Sequence, residues 1–161
     1  MAQAQKQVRI IEPLERFVNR INLVGCYARV SSDSEDQLNS YNNQVDFYES
    51  YVNSLENFKL VKIYTDEGIT GTRMDKRDGF LQMIEDCRKG LINRIITKSI
   101  SRFARNITET LSVVRELKSI GVSVYFMTEK INTAKMGSEM MLAVYAACAE
   151  IESKAISNAQ K

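Results

Sequence analysis

Ile21-Asn22-Leu23-Val24-Gly25-Cys26-Tyr27-Ala28-Arg29-Val30-Ser31 decides the architecture of this chain. Its apolar run, Ile21 to Ala28, has the length of a buried strand and is too short for a core helix. An arginine and a serine stand two residues apart at its end. In a strand, residues i and i+2 share a face, so Arg29 and Ser31 point the same way. A buried strand rarely ends in arginine without an anionic partner. That partner is either an internal carboxylate, such as Asp66 or Glu67, or an anionic ligand.

Outward from this strand the chain alternates between two periods. Ser31 to Asn39 is polar and reads as a loop. Ser40 to Leu55 carries apolar or aromatic residues at 41, 45, 48, 52 and 55, the pattern of an amphipathic helix. Phe58 to Tyr64 alternates as a strand, with Phe58, Leu60, Lys62 and Tyr64 on one face and Val61 and Ile63 on the other. Thr65 to Lys76 reads as a flexible loop. Asp78 to Lys89 reads as a helix closed by Gly90 in a left-handed cap. Arg94 to Thr97 is a strand, and a helix begins at Asn106 with Glu109 at the reciprocal capping position and Gly121 past its end. Val122 to Met127 is the last strand. The order β-α-β-α-β-α-β predicts an α/β fold: an open, mostly parallel sheet with helices on both faces. Sites in such sheets lie beyond the carboxyl ends of the strands, where both Ser31 and the segment Ser99 to Arg105 fall.

Two flanking segments complete the division of the chain. Residues 1–20, which hold the only proline, Pro13, are expected to wrap the domain or fray. The main domain is expected over 21–137. From Ser138 to Lys161, the positions Met141, Val144, Cys148, Ile151, Ala155 and Asn158 follow a 4-3-4-3 spacing. This predicts a long helix whose first turns pack on the sheet. Ala146, Ala147 and Ala149 make its later part apolar on more than one side, which suits a second chain as partner.

Composition narrows the chemistry. With 44% hydrophobic residues in 161, one well-buried domain is expected rather than two. The net charge is only +2, but it is segregated: Arg88 to Arg105 holds six bases and no acid, while Ser31 to Lys59 holds six acids and one base. Such segregation suits a polyanion site on one edge of a neutral body. The chain has no histidine, which excludes Ser-His-Asp and Cys-His hydrolases and His-ligated metal sites. Cys26, Cys87 and Cys148 form no CxxC pair and read as buried apolar residues in a reducing compartment. Neither a long apolar span nor a signal-peptide core is present, so a cytoplasmic protein is expected.

Ser101-Arg102-Phe103-Ala104-Arg105-Asn106 supplies a second constellation, with two arginines on one side of a helical turn. A serine hydroxyl flanked by guanidinium groups is suited to attack on a phosphodiester: the serine is the nucleophile, and the arginines neutralise charge building on the phosphoryl oxygens. Each feature also has an ordinary reading. Serine after a strand is usually a turn residue, and arginine on a helix is usually solvated. Arg77, between Asp75 and Asp78, reads as part of a solvated turn before a helix, and Gln44 as a polar face residue.

Taken together, these residues resemble the catalytic domain of the serine recombinases, the resolvase/invertase superfamily, over Val24 to Ala159. Tyr27-Ala28-Arg29-Val30-Ser31 matches the nucleophile motif. The resemblance implies Ser31 as nucleophile and Arg29 as a phosphate ligand. Ser40 and Gln44 match a downstream Ser-x-x-x-Gln, with Gln44 as a polar contact in the active site. Asp66-Glu67-Gly68-Ile69-Thr70-Gly71 resembles the family's segment after the second strand. Arg77 matches an active-site arginine. Ile100 to Asn106 matches the second signature, which implies Arg102 and Arg105 as transition-state ligands. Ser101 replaces the aspartate usual in resolvases and invertases, as in the large serine recombinases and transposon-type members. Asn93 replaces a common acid, which leaves the general acid unassigned.

The resemblance implies a 5′-phosphoserine intermediate on double-stranded DNA, without metal or nucleotide cofactor. It further implies a homodimer that becomes a tetramer on synapsis, with 138–161 starting the dimerisation helix and DNA-binding domains downstream. Two other readings compete. A non-catalytic DNA-binding or protein-interaction module would leave Ser31 idle, though a retired site would tolerate loss of its arginines. A flavodoxin-like nucleotide domain lacks its Gly-rich phosphate loop here.

Overall fold

The computed structural model describes residues 20–31, 36–68, 77–104, 107–135 and 137–160. The expected extension over 1–20, save Arg20, and the loop over 69–76 lie outside the described residues, as does Arg105.

Five strands form one sheet in the order β2-β1-β3-β4-β5: β1 Asn22–Ser31, β2 Phe58–Gly68, β3 Arg94–Thr97, β4 Ser123–Phe126 and β5 Ile131–Asn132. β1 to β4 run parallel, and β5 pairs antiparallel with β4. The helices are α1 Asp36–Asn53, α2 Asp78–Arg88, α3 Ile100–Phe103, α4 Ile107–Ser119 and α5 Ser138–Ala159. Two buried clusters lie on opposite faces of the sheet. Val24, Cys26, Ala28 and Ile96 pack against Tyr48 and Val52 of α1. Tyr27, Tyr64 and Ile95 pack with Phe80 and Met83 of α2, Val114 and Leu117 of α4, and Val144 and Cys148 of α5. The expected mostly parallel sheet with helices on both faces is what the chain forms.

Several elements differ from the sequence reading. α1 starts at Asp36, inside the stretch read as a loop, and ends at Asn53. β2 continues through Thr65, Asp66, Glu67 and Gly68, also read as a loop. The alternation assigned to Phe58–Tyr64 breaks at a register shift: Val24 pairs with Leu60, but Gly25 pairs with Lys62. The extra residue, Val61, is a bulge that reverses the faces beyond it. Phe58, Leu60 and Ile63 therefore share the α1 side, whereas Tyr64 packs on the α2 side. Gly25 sits opposite this bulge, where a Cβ would lie 2.6 Å from Ile92 Cδ1 and 2.9 Å from the Tyr64 ring.

Other expectations match. Gly90 and Gly121 adopt φ of +74° and +79° past the ends of α2 and α4, where a side chain would be strained. All three cysteines are free and buried, and burial pushes the Cys26 and Cys87 thiols up to about 12. In α5, Val144 and Cys148 are buried, while Ile156, two turns on, is 61% exposed. The helix thus packs on its own sheet first and then runs on uncovered. No helix among the described residues is long and apolar enough to cross a membrane.

Candidate active site

The parallel strands deliver their carboxyl ends to one edge, and the site is built there. β1 runs unbroken to Ser31, with Arg29 in register with Asp66 and Ser31 with Gly68. Ser31 is therefore the last residue of β1, not a loop residue.

α3 follows β3 directly and is a single turn. Ile100 and Phe103 are buried beneath it, which leaves Ser101 and Arg102 on its outer side. Glu129 holds its start: the Ile100 N–H donates to the Glu129 carboxylate at 3.2 Å. An acid at a helix start satisfies a free N–H and opposes the positive end of the turn. The Arg102 guanidinium then reaches back and donates from Nη1 to the Arg29 carbonyl at 2.6 Å. One hydrogen bond thereby ties the second arginine segment to the end of β1.

On the other side, α1 is fastened to the same strand. The Tyr48 hydroxyl donates to the Tyr27 carbonyl at 3.1 Å, and the Thr97 hydroxyl to the same oxygen at 3.2 Å. Burial pushes the Tyr48 hydroxyl above its ordinary value, so it stays protonated and donating. Between α1, the β3–α3 turn and the end of β4 lies a cleft of about 690 Å³. Its lining includes Ser40, Gln44, Lys98, Arg102 and Thr128, and no carboxylate among the described residues. Gln44 Nε2 donates to Ser40 Oγ at 3.4 Å, and Ser99 and Ser101 hydroxyls lie 3.1 Å apart. A cleft lined by cations, amides and hydroxyls without an acid is equipped for an anion.

Arg77 is placed differently. It is 7% exposed, directly before α2, rather than in a solvated turn. Nη1 pairs with Glu109 Oε1 at 3.1 Å, and Nη2 donates to the Phe103 carbonyl and, at 3.4 Å, to the Tyr27 hydroxyl. Its guanidinium carbon lies 3.8 Å from the centre of the Phe80 ring. Glu109, read as a capping residue, is thus the counter-ion of Arg77. Tyr27 in turn donates to Asp66 Oδ2 at 2.9 Å. Burial pushes the Tyr27 hydroxyl up to about 12, with Arg77 opposing and Asp66 adding to that shift. Asp66 spends its two oxygens on the first turn of α2, accepting from Gly79 N at 2.8 Å and Phe80 N at 2.9 Å. The carboxylate considered as a partner for Arg29 is thus occupied with holding α2.

The structure therefore brings Ser40, Gln44 and Arg102 to one cleft and ties it to Arg29 at the end of β1. It does not bring Arg77 there. Lys98, Tyr48 and Glu129 belong to the same neighbourhood, yet the sequence reading assigned them no role. Lys98 had a signal, as a member of the basic run from Arg88 to Arg105. Among the described residues no group of three or more His, Cys, Asp or Glu could hold a metal ion.

Comparison with known proteins places this arrangement. A family model described as resolvase, N-terminal domain, matches residues 24–161. The transposon Tn552 resolvase of Staphylococcus aureus is 31% identical over 134 residues, which cover 78% of this chain and 57% of that protein. The chain thus spans little more than half the length of that curated relative. A crystal structure of a resolvase family site-specific recombinase from Streptococcus pneumoniae superposes with a TM-score of 0.64 at 27% identity, covering 86% of this chain and 93% of that one. The N-terminal catalytic domain of TP901-1 integrase shares the fold, with a TM-score of 0.61 at 22% identity over 83% of this chain and 98% of that chain.

Proposed function

Because this chain belongs to the resolvase family, we propose that it cleaves and rejoins double-stranded DNA through a covalent bond to Ser31. The Ser31 oxygen attacks the phosphorus and loses its proton. The bond from phosphorus to the 3′ oxygen breaks, and that oxygen leaves as a 3′-hydroxyl. A 5′-phosphoserine link conserves the bond, so a 3′-hydroxyl from an exchanged strand can attack it and release the serine. Neither step consumes a nucleotide.

Arg29, Arg102 and Arg105 neutralise the charge that develops on the non-bridging oxygens, each worth roughly 3–4 kcal/mol of barrier. Gln44, beside Ser40, donates to the bound phosphodiester. Ser101 gives the turn a hydroxyl where many relatives of this type carry an acid. Strand exchange needs four such sites at once, so the protein acts as a dimer that pairs into a tetramer. The uncovered later turns of α5 are the surface for that association, and DNA places the reaction in the cytoplasm.

The observation that carries this reading is the Arg102–Arg29 carbonyl bond, which links the two arginine segments at the carboxyl end of the strand that terminates in Ser31. The test is to incubate the protein with a duplex containing its recombination site and to separate the products under denaturing conditions. A protein–DNA adduct is expected, and it is absent with Ser31→Ala. An adduct that persists with Ser31→Ala sinks the reading.

A further inference from the structure

We propose that the outer half of the α1–α3 cleft is a second DNA-backbone site, in which Lys98 holds a phosphate next to the one attacked and the Phe47 ring packs on the intervening deoxyribose. The inference rests on the reading of the cleft as a DNA-cleaving site and adds residues that neither signature motif contains.

Lys98 is exposed at the end of β3 and makes no ion pair among the described residues. Its backbone is fixed, since the Thr128 N–H donates to the Lys98 carbonyl at 2.8 Å. Across the cleft, α1 presents Asn43 and Gln44 one turn from Phe47. Phe47 is 52% exposed, although a large ring gains by burial. The ring is nonetheless held in place. It stacks on Tyr51 at 6.1 Å and 14°, and meets Tyr48 edge-on at 5.8 Å. A fixed ring open to solvent, a cation without an acid and two amides therefore line one concavity.

This set matches the parts of a nucleotide backbone. Phosphate takes the ammonium and amide donors, and sugar takes the apolar ring. At about 690 Å³ the cleft is in the range of ligand pockets and exceeds what one phosphate needs. Among the described residues its lining holds two cations and no carboxylate, which favours a polyanion.

The test titrates the ¹⁵N-labelled protein with a short mixed-sequence DNA duplex and follows amide shifts and affinity from ~50 to ~200 mM salt. Shifts are expected at Asn43, Gln44, Phe47, Lys98 and Thr128. Lys98→Gln is expected to lower the salt slope by about one, so that its affinity falls about 3.5-fold less over that range. Phe47→Ala is expected to weaken binding about fivefold with the slope unchanged. Both side chains are exposed, so the variants should melt like the parent. No binding, shifts confined to another surface, or a Lys98→Gln protein with the parent's slope overturns the proposal.

Ser31→Ala separates this inference from the one it rests on. If the parent forms an adduct with its recombination site but the groove does not respond, the groove alone is wrong. If the groove binds the duplex and adduct formation does not depend on Ser31, the nucleophile alone is wrong.

Discussion

Arg77 and Arg102 are the same residue type about 25 positions apart, and each donates to a backbone carbonyl near the site. Their surroundings separate them. Arg102 is exposed, touches the Arg29 carbonyl and lines a cleft with no carboxylate among the described residues. Arg77 is buried against Phe80, with Glu109, Tyr27 and the Phe103 carbonyl as partners. The Phe103 carbonyl belongs to the turn between Arg102 and Arg105. Arg77 therefore braces the turn that carries Arg102, while Arg102 itself lines the cleft. Burial and the count of internal partners, not residue type, separate the two: Arg77 is enclosed by protein groups and Arg102 faces the cleft.

The comparison breaks most readily at Arg102. Arg102→Ala should lower the rate of DNA cleavage by about 10²–10³-fold, measured as adduct formation over time. Its unfolding free energy should stay within the scatter of surface substitutions, ~0.5 kcal/mol. A protein that instead loses stability would assign Arg102 to the fold.

Arg77→Ala should show the reverse emphasis. It removes one donor from Glu109 and one from the Phe103 carbonyl, and should cost about 2–3 kcal/mol in urea unfolding. Arg77→Lys should recover only part of this, because one ammonium does not reproduce the planar fork that spans both acceptors. Full stability in Arg77→Ala, with cleavage lost, would return Arg77 to the cleft.

The smallest effect is expected further down the same buried face. The Tyr64 hydroxyl donates to Asp86 Oδ2 at 2.6 Å and holds that carboxyl below its ordinary 3.8. A depressed aspartate contributes stability above its unfolded value and loses it as pH falls through the folded one. Tyr64→Phe should therefore destabilise by about 1–2 kcal/mol near neutral pH. The gap from the parent should narrow as pH falls below the ordinary carboxylate range and Asp86 takes up its proton. A gap that does not change with pH would mean that the Tyr64 hydroxyl stabilises the fold without acting on the charge of Asp86.

The same contrast explains what the sequence reveals. β1, α2, β3, α4 and β4 follow from apolar periodicity with Gly90 and Gly121 as stops, because those signals are local. The Val61 bulge is a relation between two strands, so no pattern within Phe58–Tyr64 discloses it. α3 is one turn long and β5 has two residues, both below the reach of periodicity. α1 begins among polar residues at Asp36, where no apolar repeat marks its start. Of the candidate residues, Arg29 and Arg102 are legible because motif spacing and strand ends coincide. The burial of Arg77 is not, because it depends on Glu109, which lies 32 residues away. Lys98 and Phe47 look like a solvated lysine and a helix-face aromatic until the fold sets them across one cleft.

The most direct measurement is to map the residue that carries DNA. The denatured adduct is digested with trypsin and nuclease, and the modified peptide is sequenced by mass spectrometry. The account predicts a phosphodiester on Ser31, within the tryptic fragment spanning residues 30–59, joined to the 5′ end of the broken strand and leaving a free 3′-hydroxyl. DNA attached to any other side chain, or joined through its 3′ end, would contradict it.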